Sequence, residues 1–162
     1  MTKYLMLGAL LALSTAAQAH VVLEQKEAEA GSVYKAVFKV GHGCEGSATK
    51  QIVVTVPAGL RGAKPTHKAG WTLGRSGSEI SWTARSADDF LQDDWYDEFV
   101  LRGTLPEQAG ELWFKVRQVC EKGEANWADV PADGITTKGM KSPAAHMTVT
   151  PKRSGPATEH QH

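Results

Sequence analysis

Cysteine is scarce in this chain, neither sign of charge is in excess, and no long apolar run follows the first nineteen residues. Each shortage excludes something. Cys44 and Cys120 are too far apart for a C-x-x-C redox or dithiolate motif. Eighteen Lys and Arg balance eighteen Asp and Glu, which leaves no basic face for a nucleic-acid backbone. No segment approaches the roughly 20 apolar residues of a membrane-spanning helix. No stretch of a dozen residues holds a helical apolar stripe. G-x-S-x-G, H-E-x-x-H, P-loop and dinucleotide-binding patterns are all missing, so hydrolytic and nucleotide chemistry find no foothold.

What is present begins with a leader. Met1 to Ala19 carries Lys3, an apolar run from Leu5 to Leu13 and the small-residue end Ala17-Gln18-Ala19, the three parts of a secretory signal. Cleavage before His20 is expected, with a cut at Ala17 as the competitor. The mature protein is then exported, periplasmic or extracytoplasmic, with no stable membrane insertion. It loses Lys3, turns slightly acidic, and keeps about 140 residues, enough for one domain with one core. In that compartment an even cysteine count reads as a disulfide, Cys44 to Cys120. Closing so long a loop contributes about 4 kcal/mol in the chain-entropy model.

The mature chain reads as all-β. Val33 to Val40 sets Tyr34, Ala36, Phe38 and Val40 on one face and Lys35 and Lys39 on the other. Lys50–Val56, Glu79–Ala84, Glu98–Arg102 and Leu112–Cys120 alternate in the same way. Turn signals fall at Pro57-Ala58-Gly59, Gly74 to Gly77, Leu105-Pro106-Glu107 and Gly123, and Ser86 to Asp94 suits a helical turn. Strands at this spacing predict an antiparallel, immunoglobulin-like β-sandwich. The predicted domain spans residues 20–150, followed by a disordered tail over 151–162.

The chemistry gathers at the new N-terminus. A leading histidine offers its α-amine and ring Nδ1 to one ion as a chelate. If His20 to Leu23 is a strand turning near Ala30-Gly31 into Val33–Val40, a centre at Gly31 sets His20 opposite His42, with Cβ atoms about 5 Å apart. Three nitrogens then suit Cu(II), which heads the divalent affinity series. Zinc accepts the same nitrogens, but structural zinc usually wants four protein ligands. Thioethers for Cu(I) are few, since only Met140 and Met147 survive cleavage. A Cys44–Cys120 bridge would draw Gly123 to Ala128 toward the histidines. Trp127 could then cap the ion, although spacing alone favours an ordinary core aromatic. Glu24, four residues past His20, shares its strand face and could add a carboxylate, or stand as a lone exposed acid. His67 and His146 read as surface or loop residues, and His160 and His162 as a loose metal tract. The acidic run Asp88, Asp89, Asp93, Asp94, Asp97 and Glu98 lacks EF-hand spacing. It reads as a solvated edge or a docking patch.

Several motifs together carry a resemblance. His20-Val21-Val22-Leu23-Glu24, Val40-Gly41-His42-Gly43-Cys44-Glu45-Gly46, Lys64-Pro65 with Gly70-Trp71-Thr72-Leu73, Asp94-Trp95-Tyr96-Asp97-Glu98-Phe99, and Val116-Arg117-Gln118-Val119-Cys120 with Gly123 and Trp127 resemble the YcnI-like copper-binding domain family. The resemblance covers nearly the whole mature chain. It implies an extracytoplasmic β-sandwich that binds Cu(II) through its N-terminal histidine, here His20, with a tryptophan at the site, here Trp127. It also implies copper trafficking or homeostasis rather than catalysis, with other periplasmic or membrane copper-transport proteins as partners. Many members carry an acid in the loop after the second strand, where this chain reads His42-Gly43-Cys44. Either His42 or Glu24 takes that place, and the hairpin register favours His42. The competing expectations are a copper-dependent polysaccharide monooxygenase built on a histidine brace, and a metal-free adhesion or assembly sandwich.

Overall fold

The computed structural model describes residues 20–153. The expected leader over 1–19, its expected cut before His20, and residues 154–162 with His160 and His162 lie outside the described residues. Within them the chain forms β1 (Val22–Leu23), β2 (Glu27–Glu29), β3 (Val33–Val40), β4 (Thr49–Thr55), β5 (Arg61–Pro65) and β6 (Trp71–Ser76). Then come β7 (Glu79–Ala84), a 3-10 turn at Ala87–Asp89, β8 (Asp97–Thr104), β9 (Gly110–Cys120), β10 (Glu124–Trp127) and β11 (Ala145–Thr150). One sheet runs β1-β3-β8-β5 and the other β2-β11-β9-β4-β7-β6, with β10 also on β9. All pairs are antiparallel except β2 with β11. The architecture is the expected immunoglobulin-like sandwich.

Period-2 alternation explains the packing. Tyr34, Ala36, Phe38 and Val40 of β3 are buried, as are Leu112, Phe114 and Val116 of β9. Phe38 meets Phe114 edge-to-face at 5.4 Å across the two sheets, and Phe99 takes Trp71 at 5.0 Å and Trp82 at 5.8 Å. Each such side chain contributes roughly 1.5–3 kcal/mol on leaving water. Gly74, expected in a turn, lies inside β6, and Gly77-Ser78 alone makes the β6–β7 turn, with Gly77 at φ 55.

The register of the first two paired strands corrects the expectation. β1 pairs with β3 as Val22 to Lys39 and Leu23 to Phe38. Continued by two residues, that ladder sets His20 opposite Gly41 rather than His42. The reason is the pleat. Val21 and Leu23 are buried, and so are Phe38 and Val40. Opposed residues share a face, so apolar odd numbers on β1 must meet apolar even numbers on β3. The predicted register would have matched Leu23 with Lys39 and turned the strand inside out. The link is also no simple hairpin, because β2 leaves to pair with β11 in the other sheet.

One edge of β9 positions the site. Its first half pairs with β11, ending at Ala145 opposite Phe114, and its second half pairs with β10, where Trp127 sits opposite Val116. Trp127 and Ala145 are therefore neighbours along one strand edge. The segment 128–144 leaves and returns at that junction.

Candidate metal centre

The loop after β3 is built around two glycines and the disulfide. Cys44 and Ser47 exchange both backbone hydrogen bonds at 3.0 Å, closing a two-residue turn with Glu45 at φ 50 and Gly46 at φ 83. Both central residues are left-handed, as a type I′ turn demands. A Cβ on Gly43 would lie 1.9 Å from the Ser47 carbonyl oxygen, so no side chain fits there. Cys44 is bonded to Cys120 at the end of β9, with Cα atoms 6.0 Å apart. The β9–β10 turn docks on this loop, as the Lys122 N–H donates to Ser47 Oγ at 2.8 Å.

Gln118 joins the pieces. It is 1% exposed on the inward face of β9. Its Nε2 donates to the His42 carbonyl oxygen at 2.7 Å and to Thr49 Oγ1 at 2.8 Å, and its Oε1 accepts from Trp127 Nε1 at 3.3 Å. The histidine loop and the tryptophan strand thus hang on one amide. An amide in the otherwise apolar row Leu112, Phe114, Val116, Gln118, Cys120 is the sequence signal that could have found it, because a buried polar side chain needs partners. Asp93, in the acidic run that reads as a solvated edge or a docking patch, belongs to this loop. Its Oδ1 accepts from the Gly43 N–H at 3.0 Å, and it lines a cleft of about 610 Å³ with His42 and Trp127.

The histidines differ from every other buried polar group. Among the described residues, His20 Nε2 and His42 Nε2 are the buried side-chain nitrogen or oxygen atoms without a hydrogen-bond partner. His42 Nδ1 donates to the Gly43 carbonyl at 2.5 Å, which leaves the lone pair on Nε2. A backbone carbonyl on one ring nitrogen is a common way to orient a metal-binding imidazole through the other. The His20 and Trp127 rings pack edge-to-face, with centroids 5.4 Å apart and planes at 63°. Trp127 is 7% exposed and belongs to the core, as the reading of an ordinary core aromatic has it. His20 lines a second cleft, of about 370 Å³, rather than the one holding His42. Trp127 touches the former and lines the cleft of the latter.

Glu24 lies elsewhere. It is exposed, lines neither cleft, and its N–H donates to the Val37 carbonyl at 3.0 Å. Its charge adds to those of Glu98 and Asp97 in raising the Tyr96 hydroxyl, which is pushed up to about 12, first by its hydrogen bond to Glu98, then by desolvation and by these carboxylates. His146 is a strand residue, not a loop residue: it sits on β11 opposite Trp113. No group of three or more His, Cys, Asp or Glu side chains is placed to hold a metal among the described residues. What the site offers is narrower: two buried imidazole nitrogens without partners, one on His20 beside Trp127 and one on His42, whose cleft Trp127 lines.

Two sheets, a disulfide at one end and histidines at the same end define an immunoglobulin-like sandwich with a polar tip. The chain belongs to the family described as "Domain of unknown function (DUF1775)", matched over residues 20–79 and 74–149. Among solved structures it is similar to an uncharacterized protein from Nocardia farcinica described as having an immunoglobulin-like fold. The identity is 24%, the TM-score 0.67, and the match covers 80% of this chain and 97% of that one. It is more distantly similar to the seventh ScaB type I cohesin from Pseudobacteroides cellulosolvens, at 12% identity and a TM-score of 0.47, over 88% of this chain and 97% of that one. No curated protein matches significantly.

Proposed function

We propose that this is a YcnI-like, exported Cu(II)-binding protein that buffers copper or hands it on, without catalysing a reaction. The observation carrying the proposal is the pair of buried, unpartnered Nε2 atoms on His20 and His42, joined through Trp127 and Gln118. Leaving a buried nitrogen unpaired costs roughly 1–3 kcal/mol, and an ion bound at His42 Nε2 would remove that cost there. In the mature protein His20 supplies its amine and Nδ1, and His42 supplies Nε2. Nitrogen donors of this kind suit Cu(II). The indole beside His20 would restrict access of water and oxygen to an ion there, which favours storage over a monooxygenase. Partners would be periplasmic or membrane proteins that give or take copper.

The His20 atom that is buried and unpartnered is Nε2, whereas a chelate with the amine closes through Nδ1. One extra alanine before His20 separates the two donor sets. The chelate should lose at least tenfold in Cu(II) affinity, while ligation through Nε2 alone should be unchanged. EPR of the Cu(II)-loaded mature protein should show a nitrogen-ligated type 2 signal that changes in His42→Ala. A wild-type protein starting at His20 with no such signal would refute the proposal.

A further inference from the structure

The cleft beside His20 contains a second pair of soft donors. Its lining includes Met140 and His146, with Lys26 as its cation and no carboxylate. The His146 ring stacks on Trp113 at 4.2 Å and 23°. Its Nε2 bonds Glu111 Oε2, and the same oxygen accepts from Thr148 Oγ1 at 2.9 Å. The neutral ring therefore carries its proton on Nε2 and its lone pair on Nδ1. A carboxylate on the far nitrogen of an imidazole both fixes the ring and raises its basicity, the arrangement found behind metal-bound histidines. Met140 reaches the cleft from the segment between β10 and β11. A turn fixes it there, its N–H donating to the Thr137 carbonyl at 3.1 Å, with Gly139 at φ 82. Upstream, Asp133 Oδ1 accepts from the N–H groups of Thr136 and Ile135, both at 2.9 Å. Those bonds, Thr136 first, hold its carboxyl below the usual range.

We propose that Met140 and His146 hold a soft monovalent cation, Cu(I), in this cleft beside His20. A thioether and an imidazole select a d10 monovalent ion. The lack of lining carboxylates disfavours Ca²⁺ and Mg²⁺, and two protein ligands fall short of the four that structural Zn²⁺ usually takes. Met147, by contrast, is fully buried in the core and has no such role. The choice of Cu(I) among soft cations rests on the copper reading above, while the ligand pair does not depend on it.

Ag(I), a redox-inert d10 ion, is the probe. It is titrated into the mature full chain with His160 and His162 exchanged for Gln, so that the terminal histidines do not contribute. Binding should shift the Met140 methyl resonance and leave that of Met147 in place. Met140→Leu and His146→Gln should each weaken Ag(I) binding at least tenfold, without changing the Cu(II) EPR signal. An unmoved Met140 methyl, or affinity within twofold of the parent in Met140→Leu, overturns the inference. Met140→Leu is a half-buried loop substitution and keeps the test open should His146→Gln fold poorly. Loss of the Cu(II) signal alone would strike the proposed function and leave this site standing.

Discussion

Gln118→Leu is the substitution whose cost the structure specifies best. Leucine fills a similar volume but leaves three groups without the amide: the Trp127 indole N–H, the His42 carbonyl and the Thr49 hydroxyl. Thr49 and Trp127 are 0% and 7% exposed, so water does not readily replace what is lost. At about 1–3 kcal/mol per orphaned group, less about 2 kcal/mol gained by burying an apolar side chain, the net loss is about 4 kcal/mol. A domain of this size has about 5–15 kcal/mol in all. Urea denaturation followed by circular dichroism measures the loss as a fall in midpoint at constant slope. A double-mutant cycle with Trp127→Phe is the sharper test. Phenylalanine removes the indole N–H that the first substitution orphans, so the pair should be less costly than the sum by about 1 kcal/mol. If Gln118→Leu costs under about 1 kcal/mol and the two substitutions add within about 0.5 kcal/mol, Gln118 does not couple the histidine loop to the tryptophan strand.

Gly43→Ala should lower stability by more than about 2 kcal/mol, because its Cβ would meet the Ser47 carbonyl oxygen at 1.9 Å. A thermal melt would show this, whereas Gly41→Ala, with open space around it, should melt within a degree or two of wild type. Reducing Cys44–Cys120, which spans 76 residues, should cost about 4.5 kcal/mol in the chain-entropy model, read from urea midpoints with and without reductant. Tyr34, 1% exposed with its hydroxyl donating to the Gln25 carbonyl at 2.6 Å, is pushed up to about 12 by burial. Its neutral form is the one the fold favours, so its contribution is intact below pH 10 and is lost as pH rises toward 12. That is roughly 2–3 kcal/mol, and Tyr34→Phe should flatten this part of the pH–stability curve.

The strands were legible because a half-buried sheet imposes a period of two on its sequence. Val33–Val40 and Glu79–Ala84 coincide with β3 and β7, and the 3-10 turn falls inside Ser86 to Asp94. Ala145–Thr150 alternates as clearly but was not read as β11, while β1 and β2 are too short to show a period. The cysteine pairing followed from a count of two. Even the β1–β3 register was available, since Leu23 and Phe38 must share a face.

Sequence alone determined the sandwich, the disulfide and which residue types could ligate a metal, because alternation and cysteine number are local or countable properties. Only the tertiary structure decided which side chains meet. It put Trp127 beside His20, gave Gln118 and Asp93 to the His42 loop, and left Glu24 among the acids around Tyr96. It also moved His146 and Met140 from a strand and a loop into one cleft. Those meetings depend on how β10 and β11 share the edge of β9, a long-range pairing set by packing of the whole core and not written in any one segment.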